Sequence, residues 1–170
     1  MKIGVSSYSF SQYIKSGKLT QLTAVAKAKE LGFDAIEFTE LMPPEGVSQA
    51  EYAKQIKAEA NKCSIEISAY LVGANLAQKD NSAEIERLKA SLDVANALGA
   101  KLFRHDVMYG YDVFRSFDQA LPTLVAAIRE VTEYAQTLGI QTMTENHGYI
   151  CQDSDRVERL VNAVNHPNFG

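Results

Sequence analysis

The chain has 170 residues, 46% hydrophobic and 22% charged, with a formal net charge of −4. That supplies the core of one globular domain, while an acidic balance without any basic run argues against a nucleic-acid surface. No apolar stretch approaches the length of a membrane span, and Cys63 and Cys151 have neither metal-ligand nor redox spacing, so they read as the reduced thiols of a cytoplasmic protein.

The N-terminus enters a strand pattern at once, which leaves no room for a signal peptide. The first strand is expected over Lys2–Ser9, with Ser6, Ser7, Tyr8, Ser9 and Phe10 at its C-terminal end. A helix follows from about Thr20 and stops at Leu31-Gly32, where glycine can take the left-handed cap conformation. The second strand reads over Phe33–Phe38, with Glu37 near its end. Ser48-Gln49-Ala50-Glu51 predicts a reciprocal capping box opening the next helix, with Tyr52, Ile56 and Ala60 facing inward. The third strand reads over Ile65–Val72. Asn81-Ser82-Ala83-Glu84 starts a helix whose apolar stripe is Ile85, Leu88, Leu92, Ala95 and Leu98. The fourth strand, Lys101–Val107, contains Arg104-His105-Asp106, and a loop with Met108, Tyr109, Gly110 and Tyr111 follows. The last long helix begins near Asp118 and ends at Gly139. A fifth strand over Ile140–Thr144 leads to a final helix, capped by Asp153 or Ser154, and 166–170 reads as the approach to a sixth strand.

Strand starts near residues 2, 33, 65, 101 and 141 give a period of roughly 30 to 40 residues, the length of one βα unit. Alternation with short turns forces parallel strands and right-handed crossovers. The chain therefore belongs to the α/β class. Because no phosphate-binding glycine loop is present, a (β/α) TIM-barrel type is favoured over a nucleotide-binding open sheet. A full barrel takes about 250 residues, so residues 1–170 are expected to form a single, incomplete barrel domain of about five βα units and the start of a sixth, truncated on its C-terminal side.

In parallel α/β proteins the chemistry sits at the C-terminal ends of the strands. Thr144-Glu145-Asn146-His147-Gly148 places a carboxylate, an amide and an imidazole there. Glu145 is the candidate catalytic residue, against the alternative of a surface carboxylate. His147 either orients substrate or Glu145, or simply meets solvent. Arg104 and His105 point to opposite faces of one strand, and His105 is either a substrate-binding group or a hydrogen-bonded core histidine. Glu37 is a candidate polar-pocket residue. Tyr8 either walls the pocket or packs in the core, and the 108–111 loop is either a lid or packed on its own aromatics.

The order and spacing of Lys2-Ile3-Gly4-Val5, Leu31-Gly32-Phe33-Asp34-Ala35-Ile36-Glu37, Leu98-Gly99-Ala100-Lys101 and Thr144-Glu145-Asn146-His147-Gly148 resemble the N-terminal two-thirds of the sugar phosphate isomerase/epimerase family, with its xylose-isomerase-like TIM barrel. The resemblance implies a metal-dependent enzyme that moves a proton next to the carbonyl of a small-molecule sugar or sugar phosphate. It implies a divalent metal (Mn, Mg, Co or Zn) at the barrel mouth. Of the four usual ligands only one carries over, onto Glu145, which in epimerases also serves as acid/base; the site is thus incomplete in this chain. Rival expectations are a dehydratase on the same scaffold and a truncated, non-catalytic half-barrel. Open edge strands lead to an expected homo-oligomer. An apurinic endonuclease of the same superfold is disfavoured by three histidines and the net charge of −4.

Overall fold

The computed structural model describes residues 1–111, 113–148 and 150–170. Its elements alternate as the periodicity requires. They are β1 (Gly4–Ser6), a 3₁₀ turn (Ser7–Phe10), α1 (Ser11–Lys15), α2 (Gln21–Glu30), β2 (Ala35–Thr39), α3 (Gln49–Cys63), β3 (Glu66–Val72), α4 (Ser82–Leu98), β4 (Leu102–His105), α5 (Phe117–Thr137), β5 (Gln141–Met143) and α6 (Ser154–Val164). The sheet order is β1-β2-β3-β4-β5, the pattern of a parallel (β/α) sheet of the TIM-barrel type. Among the described residues no helix is long and apolar enough to cross a membrane.

The chain divides into two compact units, residues 1–71 with 93–101, and residues 72–92 with 102–170. In the first, β1 pairs in parallel with β2, Gly4 opposite Ala35 and Ser6 opposite Glu37. The β2–β3 register slips between Ile36 and Phe38, a bulge-like irregularity of the kind that re-aims side chains at a strand's end. β1 is shorter than its expected span. After Ser6 the chain curls into the 3₁₀ turn, and Ser6 Oγ accepts a hydrogen bond from Tyr8 N at 3.3 Å, the local competition by which serine diverts a strand. Val25, Ala28, Ile36, Phe38, Ala53 and Ile56 are fully buried and form this unit's core. Ser48 Oγ accepts from Glu51 N at 3.2 Å, the forward half of the expected capping box. At the start of α2 both halves of such a box form, between Thr20 and Thr23.

In the second unit β4 pairs with β5, Leu102 opposite Gln141 and Arg104 opposite Met143. The expected approach to a sixth strand is present. Phe169 bridges Thr142 in parallel, Thr142 N donates to Asn168 O at 3.0 Å, and Thr144 N donates to Gly170 O at 2.9 Å. The core is Leu88, Leu92, Phe103, Leu124, Ile128, Val131, Leu160 and Val164. Gly32, Gly99 and Gly139 follow the ends of α2, α4 and α5 with φ of +91°, +86° and +65°, conformations open to glycine at little cost.

Candidate functional site

The site is built by alternation along β4. Phe103 and His105 take the buried face and Arg104 the other. Because Arg104 sits opposite Met143 on β5, and the ladder continues past Met143 through Thr144 N, Glu145 falls one pleat beyond, on the Arg104 side. The guanidinium gathers the carboxylates that follow the two strands. Arg104 Nη2 lies 2.7 Å from Glu145 Oε1 and 2.8 Å from Asp106 Oδ1, and Asp106 Oδ1 lies 3.3 Å from His147 Nδ1. Exposure divides the group. The Arg104 and Asp106 side chains are 11% and 13% exposed, whereas those of Glu145 and His147 are 51% and 59% exposed. A nearly buried pair thus anchors two accessible groups.

His105 stands on the opposite face and is fully buried. Its Nδ1 lies 2.8 Å from Asp106 O, so Nδ1 carries the proton and donates, while Nε2 is unprotonated and buried without a hydrogen-bond partner among the described residues. Phe103 and Phe169 flank the ring at 6.1 Å and 6.2 Å. Burial pushes its pKa below the ordinary 6.5, which keeps the imidazole neutral. It holds the Asp106 backbone and does not reach solvent.

The turn after β3 supports the same strand ends. Asp106 N donates to Val72 O at 3.2 Å and Leu76 N to Val107 O at 2.8 Å. Glu84 accepts from Asn75 N and from Arg87 Nε, each at 2.9 Å, and Arg87 Nη2 donates to Gly73 O. The Arg87 hydrogen bond holds the Glu84 carboxyl below its usual pKa. A Cβ at Gly73 would meet the Tyr109 hydroxyl, the outer tip of a half-exposed side chain that can shift to make room. The 108–111 loop is anchored by buried Met108, while Tyr109 is half-exposed.

Tyr8 and Glu37 belong to the first unit. Tyr8 is 71% exposed, so the core alternative for it is corrected: the 3₁₀ turn that replaces the end of β1 turns it outward. Glu37 is half-buried beside the β2–β3 irregularity. Of the predicted residues, then, the second unit brings Glu145 and His147 into one network and puts His105 behind it. Sequence reasoning passed over Arg104 and Asp106 as site members. The signal was the charged Arg104-His105-Asp106 run at a strand end, but only burial against Phe103 and Phe169 decides which of Arg104 and His105 faces the core.

The divalent metal implied by the sequence resemblance does not fit the residues present. Among the described residues no three His, Cys, Asp or Glu side chains group so as to hold an ion. A resident zinc needs three or more protein ligands, and the Glu145 and Asp106 oxygens that any divalent ion would use already share one guanidinium nitrogen.

A comparison with curated proteins finds no match. Among solved structures, the chain is similar to a D-psicose 3-epimerase from Clostridium cellulolyticum H10 solved with D-tagatose, with a TM-score of 0.77 and 19% identity over 99% of this chain and 62% of that one. It is also similar to a probable 3-DHS dehydratase from Bacillus anthracis (TM-score 0.75, 20% identity, 99% of this chain and 61% of that one). A third likeness is to an AP endonuclease, family 2, from Brucella melitensis (TM-score 0.74, 16% identity, 100% of this chain and 67% of that one). The chain spans 62% and 61% of the length of the first two, and at these identities the likeness is one of fold. The sequence profile described as xylose isomerase-like TIM barrel matches residues 25–170, and the chain belongs to that family.

Proposed function

We propose that this chain carries the acid/base half of a sugar isomerase/epimerase site. Glu145 removes or returns the proton on the carbon next to the carbonyl of a small-molecule sugar or sugar phosphate. The observation that supports this reading is the Arg104–Glu145 contact at the C-terminal ends of β4 and β5. One Glu145 oxygen is held at 2.7 Å by a nearly buried guanidinium while the side chain stays 51% exposed, so the carboxylate is positioned and still open to substrate. A positioned base of this kind contributes about 10²–10⁴-fold to proton transfer. His147, oriented by Asp106 at 3.3 Å, presents the rest of its ring to the same mouth for a substrate hydroxyl. Tyr8, exposed at the end of β1, and half-buried Glu37 are assigned to the substrate-binding surface of the first unit. His105 acts only through the Asp106 backbone.

The metal dependence of the sugar isomerase reading is carried as a condition of the assay. The protein is incubated in D₂O with ketohexoses and ketose phosphates, with and without Mn²⁺, and proton NMR follows deuterium wash-in beside the carbonyl. Wash-in supports proton transfer. Loss of water to a conjugated product instead supports a dehydratase, the reading suggested by the likeness to the probable 3-DHS dehydratase. Neither signal with any substrate refutes the enzyme reading and favours a non-catalytic half-barrel. For that second reading the relevant observation is the exposed Met1 and Ile3 beside β1. Self-association through this edge predicts a dimer by light scattering at micromolar concentration, and a monomer there counts against it.

A further inference from the structure

We infer that Arg104 is the resident cation of this site, occupying at Glu145 and Asp106 the place a divalent ion would take, so that metal and guanidinium compete for the same two oxygens. Both carboxylates meet on a single nitrogen, Nη2, at 2.7 Å and 2.8 Å. A divalent ion bound by the same oxygens needs about 2.0–2.6 Å to each, which leaves no room for that nitrogen. The arginine is also held there at a cost. Its Nε is buried without a hydrogen-bond partner, so the guanidinium forgoes one donor to keep Nη2 between the carboxylates. With Arg104 in place its positive charge opposes a metal at short range. The sugar reading is not needed for this inference, so each can fail without the other.

The test is Mn²⁺ titration followed by the electron paramagnetic resonance of the free ion. It compares the unaltered protein, Arg104→Gln, and Arg104→Gln combined with Glu145→Gln, each checked for folding by circular dichroism. The expected result is that Arg104→Gln binds Mn²⁺ at least about tenfold more tightly than the unaltered protein and that Glu145→Gln removes the gain. A folded Arg104→Gln with unchanged or weaker Mn²⁺ binding overturns the inference, as does a gain that survives Glu145→Gln. If Arg104→Gln does not fold, the unaltered protein decides the matter in a Mg²⁺ titration read by NMR. If the Glu145 carboxylate carbon and the Arg104 guanidinium nitrogens shift together, or if neither shifts, Arg104 holds the site. If the Glu145 signal moves alone, it does not.

Discussion

Replacing Arg104 by Met removes the cation shared by two carboxylates, and their burial decides which loss dominates. Asp106 is 13% exposed. Without its partner it is a nearly buried charge, and breaking such a pair costs about 3–5 kcal/mol. Glu145 is 51% exposed, so water replaces most of what it loses, and exposed pairs are worth about 0.2–1 kcal/mol. Arg104→Met should therefore destabilise the protein by about 3 kcal/mol, nearly all of it through Asp106. Double-mutant cycles separate the two contributions. Urea unfolding of Arg104→Met, Asp106→Asn, Glu145→Gln and the paired variants should give a coupling of about 2 kcal/mol or more for Arg104 with Asp106 and under about 1 kcal/mol for Arg104 with Glu145. With a urea slope of about 1–3 kcal/mol/M, the first effect moves the midpoint by about 1 M or more. Equal couplings, or a loss below about 1 kcal/mol for Arg104→Met, would refute the division into a buried anchor and an exposed working group.

Three other outcomes follow from the same geometry. Burial holds the His105 pKa below 6.5, so in acid the unfolded chain takes up a proton that the folded one refuses. The contribution is full above pH 6.5 and is lost as the pH falls from there toward the folded value, by up to about 1.4 kcal/mol per pH unit. Of the charges facing the ring, Asp106 favours its protonation while Arg104 and Arg87 oppose it. Urea midpoints between pH 7.5 and 5.5 should fall, and His105→Phe should flatten the slope; an unchanged slope would place the ring in contact with water. Thr142→Val removes the buried partner that lies 2.8 Å from Thr132 Oγ1 and should cost about 1–3 kcal/mol by thermal unfolding, whereas Thr132→Val/Thr142→Val together should cost less. Gly73→Ala brings a methyl against the Tyr109 hydroxyl, the tip of a half-exposed side chain that can swing aside, and should cost under about 1 kcal/mol by thermal unfolding; a loss above about 2 kcal/mol would show that the ring is fixed in place.

The strand-helix alternation was legible because each unit carries its own period and stop. The apolar stripe of α4 and the glycines at 32 and 139 lie where the pattern places them, and the start of a sixth strand is visible in the pairing of Thr142 with Phe169. Strand ends were less legible. Ser6 bonds Tyr8 N and ends β1 early, a local choice that periodicity cannot register. Helix caps such as Ser64 and Asn165 take left-handed conformations without glycine, and their positions follow from packing. At the site, the sequence offered Glu145 and His147 because polar groups crowd the end of a strand. It did not offer Arg104 and Asp106 as their anchors, since that depends on the β4–β5 register and on which face of β4 the two phenylalanines cover.

The central proposal is that Glu145 transfers the proton. The most direct measurement is the rate of deuterium wash-in beside the ketose carbonyl for the unaltered protein and for Glu145→Gln, at matched stability and with Mn²⁺ supplied to both. A fall of about 10²-fold or more in the variant is predicted, with substrate still bound. An equal rate in the two proteins would contradict the account and move the acid/base chemistry to another residue.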